Sequence, residues 1–191
     1  MKAPGKHANP LMSPGGVNPE MIDLIRGDIT TVEADAIVNA ANEALRGGGG
    51  VDGAIHAAAG PPVMAESIER YPRGTPTGTA VATGPGHLKA RAIIHAVGPR
   101  WRGGGHDEAE ALASAYRQSL QRAEELRART VAFPAISCGI YGYPLMEAAR
   151  VAVRTVREYL ATGSRIERVT FVLFSEATER AFAAALEEGE L

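Results

Sequence analysis

Cysteine is nearly absent from this chain: Cys138 is the only one among 191 residues, beside a single tryptophan and an aromatic share of 5%. One thiol excludes an internal disulfide and any cysteine-rich zinc site, and it fits a reducing, cytoplasmic setting. Long apolar runs are missing as well. No stretch approaches the roughly 18 residues a membrane span requires, so no membrane partner is expected. Nor does one sign of charge dominate, with 20 Lys and Arg against 22 Asp and Glu and a formal net charge of −2. A non-specific polyanion binder needs a net basic face, and a single-strand reader adds aromatic stacking platforms; neither pattern is present. A small anion remains open, because backbone N–H groups bind phosphate without Lys or Arg. Residues 1–19 carry Lys2 and Lys6 but no apolar segment, so they read as a disordered Pro-, Gly- and Asn-bearing tail rather than a secretory signal. Residues 20–191 are expected to form one domain.

Within that domain, apolar runs and helical periodicities alternate. Strands are predicted at Met21 to Arg26, from Ala36 to Asn39, Thr79 to Thr83, Ala92 to Val97, from Val131 to Pro134 and Arg168 to Phe174. Helices are predicted at Val51 to Ala59 with Gly60 closing it, about Val63 to Tyr71, Glu108 to Arg127, Leu145 to Leu160, and Ala177 to Glu188. The longest places Ala109, Leu112, Tyr116, Leu120, Ala123 and Leu126 at intervals of three or four. A turn is expected around Thr31 and a mobile loop at Gly103–Gly105. Such alternation predicts an α/β domain with helices on both faces of a sheet, and ligands in those folds sit outside the carboxyl ends of the strands. Asp28, Asn39, the loop at Ser137 and Phe174 all fall at such ends.

Two glycine-hinged segments hold the candidate chemistry. The first joins Asn39 and Asn42 to four consecutive glycines, Gly47 to Gly50, and then Asp52 and His56. Four glycines in a row lose much conformational entropy on folding, so they imply either close backbone approach to an anionic ligand at a helix start or a flexible connector. The pattern is neither the dinucleotide fingerprint nor a Gly-Lys-Ser/Thr phosphate loop. Asp52 opens the following helix and His56 stands one turn on; they read either as a working pair or as a cap and a half-buried histidine. Asn39 and Asn42 are either turn formers or ribose-holding amides. The second segment runs from Phe133 to Pro144. Its Cys138 is either a thiol nucleophile with His56 as base or a small buried hydrophobe. Ser137 lacks the glycine two places before it that a serine-hydrolase elbow needs. His87 and His95 show no metal-ligand spacing and are assigned to structure or surface.

The run from Gly27-Asp28 through Val38-Asn39-Ala-Ala-Asn42, Gly47–Asp52 and His56, with Ile94–Pro99 and Pro134–Pro144, resembles the macrodomain family, specifically its MacroD-type branch. The resemblance covers about Met21 to the C-terminus. It implies a three-layer α/β/α sandwich around a mixed, mostly six-stranded sheet, and ADP-ribose as ligand. It further implies hydrolysis of esters on the distal ribose, namely O-acetyl-ADP-ribose and ADP-ribose joined to acidic side chains of proteins. By family position, Asp28 accepts from the adenine amino group beside the Ile29 backbone, and Phe174 lies near the adenine face. Gly49, Gly50 and Val51, with Ser137, Cys138, Gly139, Ile140 and Tyr141, wrap the diphosphate. Asn39 and Asn42 face the distal ribose, Tyr141 covers it, Asp52 is the catalytic acid and His56 assists. Cys138 replaces a usual threonine, Ser67 a common cysteine, and Gly84–Lys89 departs from the usual loop.

The mechanism expected from this resemblance is metal-free and cofactor-free. Water attacks the acyl carbonyl, Asp52 orients or deprotonates it, and Asn42 holds the ribose. An ordinary carboxylate is a weak base at neutral pH, so positioning and the substrate's own diphosphate are expected to share the work. The alternative is a reader module that binds ADP-ribose and hydrolyses nothing. Partners are ADP-ribose, its esters and mono-ADP-ribosylated proteins. Nucleic acid is expected only as an ADP-ribosylated substrate, and the chain is expected to be monomeric.

Overall fold

The computed structural model describes residues 21–189, so the expected N-terminal tail lies outside the described residues. Apolar residues in alternation build six strands: β1 (Ile22–Arg26), β2 (Ala36–Ala41), β3 (Ala80–Thr83), β4 (Ala92–Val97), β5 (Thr130–Phe133) and β6 (Arg168–Leu173). Five helices connect or flank them: α1 (Gly50–Ala59), α2 (Pro61–Arg70), α3 (Glu108–Glu125), α4 (Leu145–Leu160) and α5 (Glu176–Glu188). The sheet order is β1-β6-β5-β2-β4-β3, parallel throughout except where β3 pairs antiparallel with β4.

Side chains divide by period two between the faces. Ala36 and Val38, Ile94, Val131 and Phe133, and Phe171 pack with Leu112, Tyr116, Ala152 and Phe182 of the α3/α4/α5 layer. Ile37, Ile93, Ala132 and Val172 face Ile55, Ala59 and Val63 of the α1/α2 layer. This is the three-layer α/β/α sandwich with a mixed six-stranded sheet.

Most element ends differ from the expected ones by one or two residues, and three local features have a clear cause. α2 begins at the two prolines rather than at Val63, since a helix's first turn needs no proline N–H and Gly60 at φ +89 turns the chain there. α3 stops at Glu125 because Arg127 adopts φ +57, and Leu126 just past its end is exposed, as is Ala109 in its first turn. The turn near Thr31 is a short 3-10 helix, Ile29–Thr31, capped by the Asp28 carboxylate. Five parallel strands aim their carboxyl ends at one edge of the sheet, where the two glycine-hinged loops emerge.

Candidate functional site

A cleft of about 250 Å³ opens at that edge between residues 42–52 and residues 135–141, floored by Ala40, Ala41 and Gly98. Gly49 and Gly50 start α1 with no side-chain cap, so the first-turn N–H groups have no side-chain partner, as anion binding requires. Facing them, Ser137 holds the left-handed φ of +66, strained backbone of the kind concentrated at binding sites. The loops touch where Gly49 meets Ile140: a Cβ at Gly49 would lie 3.2 Å from Ile140 Cδ1. Gly98, at the end of β4, lets the second loop close in. A Cβ there would stand 2.2 Å from Ser137 Oγ and 2.4 Å from Ile136 Cγ2. The sequence reading missed Gly98 and Arg100 as site residues; their position after the buried β4 run was the available signal. Arg100 lines the cleft with its guanidinium 4.5 Å from the Tyr141 ring centroid.

Asn42 and Asp52 flank Gly48, whose added Cβ would lie 3.5 Å from Asn42 Nδ2 and 3.3 Å from Asp52 Oδ2. Asn42 Nδ2 donates to the Gly47 carbonyl at 2.8 Å, shaping the glycine loop, while its Oδ1 is buried without a partner among the described residues. Asp52 is buried and does not cap α1; its Oδ1 accepts from Asn39 Nδ2 at 2.8 Å. That removes the cap reading.

The expectation that Asn39 faces the ligand is corrected. Its side chain has 0% exposure, and its second amide hydrogen goes to His95 Nδ1 at 3.1 Å. Asn39 and His95 are direct register partners on β2 and β4, which sets their side chains side by side on the α1 face. Because His95 Nδ1 accepts, the ring hydrogen sits on Nε2, which donates to Thr83 Oγ1 at 2.9 Å. Thr83 in turn donates to the Gly84 carbonyl. Burial pushes the His95 pKa down to about 4, with His56 adding to the shift, so the ring is neutral. His95 therefore belongs behind Asp52, in a buried polar row across β3, β4 and β2. His56 stands at the same level, its Nε2 3.4 Å from Asp52 Oδ1 and its ring stacked 5.8 Å from that of His95. It does not line the cleft.

The ends of the site are more open. Asp28 and Phe174 follow β1 and β6, which are hydrogen-bonded neighbours. Hydrogen bonds from the Thr30 hydroxyl and N–H hold the Asp28 carboxyl below its ordinary range, and both use Oδ1. Phe174 is 84% exposed, a large apolar ring with its faces uncovered. Ile29 is buried in the α1-side core and offers only its backbone. Burial pushes the Cys138 thiol up to about 12, and its sulfur contacts the Ile136 carbonyl at 3.5 Å. The nucleophile reading therefore fails, since the reactive form is the thiolate. Ser67 is buried and bonds the Leu45 carbonyl, a packing role away from the cleft.

A second cleft of about 580 Å³ adjoins the first and shares Asn42, Gly98, Arg100 and Tyr141 with it. Arg102 and His106 in its wall bracket the loop at Gly103–Gly105, expected to be mobile. It is instead clasped by Glu108, whose carboxylate accepts from the N–H groups of Arg102, Gly104 and His106 at 3.0, 3.2 and 2.7 Å. Burial works to raise the Glu108 carboxyl, but these hydrogen bonds outweigh it and hold the pKa at about 2.

The sequence profile of the Macro domain matches residues 38–152. A macro domain-containing protein of Caldanaerobacter subterraneus is 54% identical over 171 residues, covering 88% of this chain and 97% of that protein. The O-acetyl-ADP-ribose deacetylase of Salmonella typhimurium is 53% identical over 167 residues, 86% of this chain and 93% of that protein. The solved Oceanobacillus iheyensis macrodomain with ADP superposes with a TM-score of 0.84 at 37% identity, over 92% of this chain and 95% of that one.

Proposed function

This chain belongs to the Macro domain family, and we propose that it binds ADP-ribose across the edge of its sheet and hydrolyses acyl esters on the distal ribose. Its enzymatic relative is named for O-acetyl-ADP-ribose, and a structural neighbour carries ADP. The observation that carries the proposal is the pair Asn42 and Asp52 on either side of Gly48, with Asp52 fixed from behind by Asn39. A reader needs the backbone cradle alone. A hydrolase also needs an oriented acid beside the ribose.

In this reading the Asp28 carboxylate accepts from the adenine amino group and Phe174 packs on the base. N–H groups at Gly49–Val51 and from Ser137 to Tyr141 hold the diphosphate. Asn42 holds the distal ribose beneath Tyr141. Asp52 orients a water, whose oxygen bonds to the carbonyl carbon; the carbonyl–ribose C–O bond breaks and the ribose oxygen takes a proton. The products are a carboxylic acid and ADP-ribose. Positioning supplies most of the rate, with proton transfer secondary. The substrates are O-acetyl-ADP-ribose and, as the finer part of the proposal, ADP-ribose on Asp or Glu side chains of proteins.

The test is Asp52→Ala assayed for both acetate release and ADP-ribose affinity. A fall in kcat of about 10²-fold or more, with Kd within a few-fold, is expected for an acid acting on a bound ester. Unchanged turnover removes Asp52 from the mechanism, whereas no turnover in the unsubstituted protein beside tight ADP-ribose binding points to the reader.

A further inference from the structure

The second cleft begins where the ester must lie. Asn42, Gly98, Arg100 and Tyr141 form the partition between the clefts, and Asn42 is the ribose-holding residue of the proposed function, on which this inference rests. An acyl group leaving the distal ribose past Asn42 enters a space of about 580 Å³, far more than an acetyl group fills.

The cleft has a definite charge. Arg46, Arg100 and Arg102 line it together with His106. Among the described residues none of the three arginines makes an ion pair. Arg46 donates to the carbonyls of Leu45 and Pro72, bonds that leave its charge unneutralised. The two acids at the cleft are engaged elsewhere. Glu43 accepts from the N–H and hydroxyl of Thr77, and Glu108, 2% exposed, is taken up by the loop it clasps. That clasp also makes the Arg102 wall a built surface despite its three glycines.

We propose that this cleft is an acyl-chain subsite that selects ADP-ribose esters carried on acidic peptide segments, with Arg46 and Arg102 contacting carboxylates that flank the modified side chain. Guanidinium forks match carboxylates in pairs. A nucleic-acid strand would require a basic track continuing beyond the cleft, and the chain's net charge of −2 and the flanking Glu43 oppose one.

The experiment compares kcat/KM for O-acetyl-ADP-ribose and for two peptides bearing ADP-ribose on a glutamate, one with acidic and one with neutral flanks. An oligonucleotide with ADP-ribose on its terminal phosphate is a fourth arm. At low salt the acidic peptide should exceed the neutral one by about tenfold, a ratio that two or three exposed charge pairs supply. Arg46→Gln/Arg102→Gln should bring that ratio near one while leaving acetyl-ester turnover unchanged. Arg102→Glu alone, at a side chain with no hydrogen bond among the described residues, should invert it even if the double variant folds poorly. A preference that is absent, or that survives both variants, overturns the subsite. So does acetyl-ester turnover without peptide turnover, which leaves the proposed function standing. An oligonucleotide preferred over the acidic peptide reassigns the occupant and overturns the peptide. Turnover of no ester removes the underlying reading and the subsite with it.

Discussion

A neutral imidazole at His95 is the condition under which Asn39 can donate to it and to Asp52 at once. Protonation would set an N–H against the Asn39 amide and break the row from Thr83 to Asp52. The folded pKa of about 4 lies below the ordinary 6.5, so the unfolded chain binds the proton more readily. Stability from this residue is therefore full above pH 6.5, falls as pH drops below it, and is lost near pH 4, a total of about 3 kcal/mol. Urea titrations between pH 7 and 4.5 measure the slope, and His95→Gln should flatten it; a slope unchanged in that variant belongs to another group. At this scale the sequence was read unevenly. The four glycines stood out because they are entropically costly, while Asn42 and Asp52 beside them were assigned through the family resemblance, their residue types alone leaving turn and cap readings open. Asn39 was misplaced and His95 set aside, because strand register, which joins them, comes from tertiary pairing that a single chain's pattern does not encode.

The elements around the cleft depend on one close approach. Gly98 ends β4 directly beneath the second loop, and Gly98→Ala would place a methyl carbon within 2.2 Å of Ser137 Oγ and 2.4 Å of Ile136. Both neighbouring side chains are buried, which leaves them little room to turn aside, so the loop must move. Overpacking of this kind costs about 1–3 kcal/mol and lowers Tm by several degrees. ADP-ribose affinity should fall by at least about tenfold, because the loop that moves carries half of the proposed diphosphate cradle. Thermal melts and calorimetric titration check both. A variant with unaltered affinity would show that the second loop does not wrap the ligand. All six strands and five helices were visible as periodic segments; most ends moved by one or two residues, with Pro61 and Pro62 setting the start of α2 and the left-handed Arg127 the end of α3.

Across the whole molecule, strand order was the least legible feature. Nothing in the local pattern of Thr79 to Thr83 marks β3 as the lone antiparallel strand at the sheet edge. Its direction follows from the short return through Gly84–Arg91 to β4. The distribution of titrating groups predicts an acid profile in two limbs. Asp28, Asp35, Glu43, Glu108, Glu124 and Glu188 all have carboxyls held below their ordinary values of 3.8 to 4.5 by hydrogen bonds. Their stabilisation is present above those values and is lost as pH falls toward 2. Below the His95 limb, between pH 6.5 and 4, thermal melts should thus show a second and steeper loss from about 4.5 downward. Glu108→Gln should remove part of the second limb only.

Trp101 is the chain's only indole, and it follows Arg100, one of the residues that the two clefts share. Its backbone N–H donates to the Tyr141 carbonyl, its ring packs 4.7 Å from that of Tyr143, and a Cβ at Gly104 would stand 3.0 Å from its edge. The single tryptophan thus provides a built-in fluorophore that can be excited selectively over the five tyrosines at the red edge of the absorption band. Emission from one residue reports on the second loop and on the clasped glycine loop together, so ligand arriving on either side of the partition can be followed without a label.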